Sequence, residues 1–254
     1  MINSLFLCHG APTLALDSNE YTNFLKELGE KIKPKAIVVF TAHWESEITK
    51  ISSIDTSYEM IYDFYGFSKE LYGIKYGAKG SIKIATKIQD LLKIQGIESQ
   101  LDTGRGLDHG VWDILYIMYQ EAKIPVIQVS VNPDMPMNKQ YKLGEAIKSL
   151  GKEDILVIGS GSTVHNLGTI DWKATEAEQW AVEFDNWLIE KVENSDKDSL
   201  FSYQDLAPYA KQAIPREEHI VPLFIAMGSG QSITPKLLHR SYAYGTLTYI
   251  CFEF

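Results

Sequence analysis

The feature that most constrains the fold is a set of short apolar runs set apart by longer amphipathic stretches. Leu5-Phe6-Leu7-Cys8, Ala36-Ile37-Val38-Val39-Phe40-Thr41, Pro125-Val126-Ile127-Gln128-Val129-Ser130-Val131 and Ile155-Leu156-Val157-Ile158 show little polar alternation. A strand with one wet face alternates. A strand buried on both faces does not, and such strands belong to parallel sheets covered by helices. Residues 247–252 add a C-terminal strand candidate. Between the runs, helical spacing puts Phe24, Leu25 and Leu28 on one face of 20–31 and repeats Ile84, Ala85, Ile88, Leu91 and Leu92 over 82–92. Helices are also expected over 110–122, 137–150 and 174–192. The alternation predicts an α/β layered fold with a central, mostly parallel sheet flanked by helices. No repeat or low-complexity linker divides the chain. Residues 1–254 are therefore expected to form one domain, with 195–216 as a long surface connection.

Composition narrows the function classes. Hydrophobic residues make up 45% and the formal net charge is −9. That acidic balance argues against nucleic acid, since the longest basic cluster is only Lys31-Ile32-Lys33-Pro34-Lys35, more in keeping with a solvated helix end. No apolar run approaches the roughly 18 residues of a membrane span. The first residues lack a basic and then apolar leader, so no signal peptide is expected. Cys8 and Cys251 both sit in apolar runs, as small core residues. This usage fits a reducing, cytoplasmic setting. The oligomeric state is not legible.

The six histidines are His9, His43, His109, His165, His219 and His239, and none pairs at zinc-finger or HExxH spacing. What several share is position. His9 follows the first strand candidate, and His43 follows the second. His165 lies past the turn Gly159-Ser160-Gly161-Ser162, and His219 stands where a helix is expected to open. Ligands of open α/β sheets bind at the carboxyl ends of strands, so at least three of these rings should meet in one crevice. Neutral imidazoles converging on a crevice make first of all a transition-metal site. Taken singly, each is as well explained as a hydrogen-bonded core or loop residue. His239, in Lys236-Leu237-Leu238-His239-Arg240, lacks that context and is expected to be structural. Cys8 should point away from whatever His9 binds, because adjacent strand residues face opposite ways.

Five ordered motifs carry a resemblance: Leu7-Cys8-His9-Gly10-Ala11-Pro12, Thr41-Ala42-His43-Trp44, Leu107-Asp108-His109-Gly110-Val111-Trp112, Ser162-Thr163-Val164-His165-Asn166-Leu167 and Glu218-His219-Ile220-Val221-Pro222-Leu223. With Tyr62-Asp63-Phe64-Tyr65-Gly66-Phe67 and Tyr244-Gly245-Thr246-Leu247-Thr248-Tyr249, the chain resembles the class III extradiol aromatic ring-opening dioxygenases, in their DOPA 4,5-dioxygenase branch. The resemblance implies a non-haem Fe(II) crevice that also takes Zn(II), a small aromatic substrate and O2. It implies His9, His43 and His219 as metal ligands, with His165 beside or on the metal as acid–base and His109 as a second proton-transfer group. Because the broader superfamily uses a carboxylate as third ligand, Glu217 and Glu218 stay open alternatives to His219.

The chemistry expected is ring opening of a catechol by O2, with His165 removing a catechol proton and His109 donating one later. Asp108 is expected either to orient a histidine or to cap a helix. The arginines, Arg105, Arg216 and Arg240, each lie within four residues of a histidine. Guanidinium groups bind carboxylates in pairs of parallel hydrogen bonds, so Arg105 and Arg216 are candidates for a carboxylated, DOPA-like catechol; surface ion pairing is the plainer alternative. Trp44, Tyr65, Phe67 and Trp112 are candidate aromatic walls, with Trp112 better placed as core. Gly159-Ser160-Gly161-Ser162 lacks the lysine of a phosphate loop and reads as a close-approach turn. Competing readings are a tetrapyrrole metal chelatase, which Leu7-Cys8-His9-Gly10 also resembles, a zinc-dependent hydrolase, and a non-catalytic metal-binding protein.

Overall fold

The computed structural model describes residues 1–254. Eight strands run in the order β4-β3-β5-β2-β6-β1-β8-β7. They are β1 Leu5–Cys8, β2 Ala36–Glu45, β3 Thr49–Ser52, β4 Ser99–Asp102, β5 Val126–Val131, β6 Ile155–Gly161, β7 Lys236–Ala243 and β8 Leu247–Glu253. The four expected apolar runs form the contiguous parallel centre β5-β2-β6-β1. There β5 and β6 are buried throughout, and β2 is buried from Ala36 to Ala42. Absence of polar alternation thus located the doubly covered strands. The less apolar β3, β4 and β7 were not foreseen. They lie toward the two edges, where one face or rim stays wet.

Helices α1 Glu20–Lys31 and α3 His109–Met118 pack together, with α3 against β2 and β6. Helix α2, Ile82–Ile94, lies over β3 and β4. Helices α4 Met137–Ile147 and α9 Val221–Ser229 pack together, with α9 against β1, β2 and β6. Helix α5 spans Gln179–Glu193. Three expected boundaries move. Helix α3 ends before the left-handed Ala122, and α4 tightens into a 3₁₀ turn over Lys148–Glu153. Helix α5 starts five residues late because the amide of Glu178 is tied to the Gly245 carbonyl. The expected surface connection 195–216 instead contains short helices α6 Lys197–Phe201, α7 Tyr203–Leu206 and α8 Ala210–Ala213, with Leu200, Tyr203 and Ala213 buried. One core cluster of 67 buried hydrophobic residues spans the chain, so the fold is a single α/β domain. No helix is long and apolar enough to cross a membrane.

Register sets the site. Cys8 pairs with Gly161, and Thr41 pairs with Ser160, so β1, β2 and β6 end side by side. Gly161 lets the chain carrying His219 pass directly over this edge: a Cβ there would lie 2.0 Å from the His219 carbonyl oxygen, which already accepts the Ser162 amide. Gly161→Ala should therefore cost about 3 kcal/mol through overpacking. In a domain this size that lowers the melting temperature by roughly 6–12 °C, measurable by calorimetry.

A buried acid anchors the segment carrying His165. Asp185 of α5 accepts a hydrogen bond from Thr163 Oγ1 at 2.8 Å. Burial pushes its carboxyl up to about 7, against that hydrogen bond and the charge of Arg240. The folded protein thus holds this proton more tightly than the unfolded chain. The contribution is full below about pH 4 and is lost as pH rises toward 7. Between pH 5 and 8, wild type should lose about 3 kcal/mol relative to the non-titrating Asp185→Asn variant. Urea unfolding at the two pH values measures this; parallel curves would refute it.

Candidate metal centre

Five of the six histidines line one cavity of about 360 Å³ at the carboxyl ends of β1, β2 and β6. His9 sits one residue past β1. His43 is inside the long β2, where the pairing with β5 is interrupted between Phe40 and Glu45. His109 opens α3. His219 lies in the 3₁₀ turn Glu217–His219 leading into α9, and His165 stacks on it with ring centroids 3.3 Å apart. His239 is elsewhere, on β7, stacked against Phe24 and packed on Tyr21.

The hydrogen bonds orient these rings in one sense. Ser160 has a single O–H, which it donates to the Gly110 carbonyl, so at 2.9 Å it accepts from His9 Nδ1–H. Asp63 accepts from both His109 Nδ1–H at 2.8 Å and His43 Nδ1–H at 3.0 Å. Glu218 accepts from His219 Nδ1–H at 2.9 Å, and His165 Nδ1 lies 3.4 Å from the same oxygen. With Nδ1 as donor, each ring has its Nε2 lone pair free. His9 Nε2 and His43 Nε2 are 3.0 Å apart, the separation of two ligands sharing one ion at about 2.0–2.1 Å. The ligand atoms of His9, His43 and His219 all lie within 4.8 Å of one another.

Electrostatics agree. Burial, reinforced by the neighbouring imidazoles, holds His9 and His219 well below the usual histidine range. Burial also lowers His109, despite Asp63. Neutral imidazole is the form that ligates metal. Burial by itself would raise the Asp63 carboxyl, but hydrogen bonds from His109 and His43 outweigh it and hold the group well below the usual carboxylate range. The donor set fits a transition-metal ion: nitrogen donors, with each outer nitrogen engaged.

Several expected site residues stand elsewhere. Arg105 donates to Asp108 at 2.9 Å and to the His43 carbonyl at 3.0 Å, with its guanidinium 5.3 Å from the Trp44 ring centroid. Arg216 pairs with Glu45 and lies 3.5 Å from Glu218. Neither lines the cavity, because acids on neighbouring segments engage both guanidinium groups first. Trp44 is buried and does not line the cavity either. Asp108 holds Thr41 and Arg105 rather than a histidine, and its side chain makes no capping hydrogen bond to α3. Tyr65 and Phe67 do line the cavity, and Trp112 is core. Of the three alternatives at 217–219, His219 joins His9 and His43. Glu218 sits behind it, and Glu217 turns to Tyr203 and Gln204. Both cysteines are buried and neither lines the cavity, and burial pushes the Cys8 thiol up to about 12.

Sequence reading missed the orienting groups Asp63 and Ser160, although both lie inside quoted motifs. It also missed the apolar wall from Leu167, Ile170 and Trp172. The signal for Asp63 was its place in an aromatic run, where a lone carboxylate needs a buried partner.

The family described as the catalytic LigB subunit of aromatic ring-opening dioxygenase matches residues 7–253. The chain is 40% identical to a 4,5-DOPA dioxygenase extradiol of Beta vulgaris, covering 99% of this chain and 96% of that protein. It is 33% identical to a protein of the same description from Escherichia coli, over 91% and 86% of the two chains. The crystal structure of an uncharacterized Escherichia coli K12 protein superposes with a TM-score of 0.85 at 28% identity, covering 100% of this chain and 99% of that one. A match spanning all five histidine motifs shows that this chain belongs to the aromatic ring-opening dioxygenase family of the catalytic LigB subunit.

Proposed function

We propose that this extradiol ring-opening dioxygenase acts on a catechol at an ion held by His9, His43 and His219, with Fe(II) as the metal of turnover. The observation that carries the reading is the shared orientation of the rings, each with Nδ1 against an acceptor and Nε2 free. The family match sets it above a chelatase, a hydrolase or a passive metal carrier. The substrate class is supported by relatives described as acting on DOPA, itself a catechol.

Iron held by His9, His43 and His219 would supply the redox chemistry that lets a triplet oxidant react with a singlet ring. In the net reaction the ring bond beside the diol breaks, the O–O bond breaks, and both oxygen atoms enter the product. The protein's part is to move protons and hold geometry. His165 stands more open to solvent than the rings beneath it, and its Nε2 accepts the catechol proton. His109 starts neutral, takes a second proton and returns it as the ring opens; Asp63 stabilises its charged form. Zn(II) fits the same nitrogens and has no redox chemistry to offer.

The test is oxygen uptake by metal-free protein loaded anaerobically with Fe(II) and then given a catechol in air. Uptake should match formation of a yellow ring-opened product, and Zn(II)-loaded protein should consume none. Either ion at a hundredfold excess over its Kd should stabilise the fold by about 2.7 kcal/mol, a rise of several degrees in melting temperature. Iron that binds without oxygen uptake on any catechol would refute the reading.

A further inference from the structure

Arg216 stands outside the cavity, yet it reaches acids beside two of the three grouped histidines. We infer that Arg216 is a positioning residue of the metal centre. It braces the strand carrying His43 against the turn carrying His219, and it holds Glu218 in the posture that aims His219 and His165. The inference rests on the three-histidine reading of the site.

The brace has two arms. On one side both carboxylate oxygens of Glu45 accept from Arg216, Oε1 at 2.7 Å from Nη1 and Oε2 from Nη2. Glu45 is the last residue of β2, and His43 lies two residues before it. On the other side Arg216 Nη1 lies 3.5 Å from Glu218 Oε2. That oxygen is buried and has no hydrogen-bond partner, so the guanidinium is the cation that faces it. The second oxygen, Oε1, accepts His219 Nδ1–H at 2.9 Å and lies 3.4 Å from His165 Nδ1. One oxygen of Glu218 thus faces the arginine, and the other faces the two stacked rings.

Charge explains why this brace matters. A buried carboxylate stripped of its cation is costly. Without Arg216, Oε2 would stay buried with no partner, and the carboxylate would turn off the rings to reach water. His219 would then lose the acceptor that fixes its Nδ1–H tautomer. An isolated exposed ion pair contributes little, and the Arg216 side chain is 60% exposed. The paired hydrogen bonds to Glu45 set this one apart, because they fix the guanidinium plane on a strand end and keep its charge at Glu218. Packing of β2 against the Glu217–His219 turn keeps the span short.

The test uses Arg216→Gln, Arg216→Lys, Glu218→Gln and the double variant R216Q/E218Q in the full chain. Competition with a chromogenic chelator measures Zn(II) and Co(II) affinity, and visible absorption reads the Co(II) ligand field. Arg216→Gln should weaken both ions about tenfold, the lower end for a group behind a ligand, and shift the Co(II) bands. Arg216→Lys keeps the charge without the fork and should recover part of the affinity. In the Glu218→Gln background, Arg216→Gln should change affinity by less than about twofold, because its effect passes through Glu218. Nitrogen-15 spectra of metal-free protein should show one Nδ1–H tautomer of His219 in wild type and a mixture in Arg216→Gln. At saturating Fe(II), kcat should fall while KM for carboxylated and plain catechols alike stays unchanged, since Arg216 does not reach the cavity. An equal loss of affinity in the Glu218→Gln background overturns the inference. So does a rise in KM confined to carboxylated catechols, which would make Arg216 a substrate clamp. The two readings fail separately. Wild type that binds neither ion would sink the three-histidine reading, and the tautomer of His219 in metal-free protein would still decide whether Arg216 positions that ring. Wild type that binds both ions, with Arg216→Gln identical in affinity, Co(II) bands and tautomer, would sink this inference alone.

Discussion

His165→Ala lowers turnover of a catechol by about 10²–10⁴, the usual contribution of a positioned general base, and leaves bound iron in place. The expectation follows from position. His9, His43 and His219 close on one another at the floor, while His165 lies over His219 with Nδ1 toward Glu218. Removing it opens the proton path without removing one of the three grouped nitrogens. Metal analysis and the metal-dependent rise in melting temperature should match wild type, and added imidazole should restore part of the rate. Iron lost in parallel with activity would make His165 a ligand instead. An unchanged rate would assign the proton to another group.

Asp63→Asn produces a loss of comparable size by another route. One carboxylate accepts from His43 Nδ1–H, His109 Nδ1–H and the His109 amide. An asparagine keeps one acceptor oxygen and replaces the other with a donor, so one ring must turn or change tautomer. Loss of such a partner costs about 10–100-fold in metal affinity. With His109 disturbed as well, turnover at saturating iron should fall by about 10²–10³. Because the two histidines hold the Asp63 carboxyl well below the usual range, it is ionised throughout the pH range of activity. The deficit should then be the same at pH 6 and pH 9. A deficit confined to one end of that range, or iron affinity unchanged within twofold, would contradict the assignment.

Much of the frame was legible in the residues. Two-sided burial leaves a mark that one-sided burial does not, and the apolar runs ending at Cys8, Val131 and Ile158 marked central strands for that reason. The strand-end rule then gathered His9 and His43 at one edge. His165 and His219 arrived there because Gly161 admits the His219 backbone and the 162–165 segment leaves the same edge. The missed strand β7 and the short helices of 195–216 had no such mark, being half-wet elements whose burial depends on what packs over them.

Partner choice was not legible. The pairs that orient the rings, Ser160 with His9 and Asp63 with both His43 and His109, join segments 20 to 151 residues apart. No periodicity encodes such a pairing. The arginines show the same point in reverse. Their spacing beside histidines suggested a carboxylate clamp, yet Glu45 and Asp108 lie within reach once the chain folds and draw both guanidinium groups off the cavity. The order of apolar and polar residues along the chain determined the layered sheet and the convergence of histidines at its edge, because burial acts on local pattern. Only the tertiary structure decided which atom of each ring faces inward and where the guanidinium groups lie, because hydrogen bonds and ion pairs go to whichever partner the fold brings within about 3 Å.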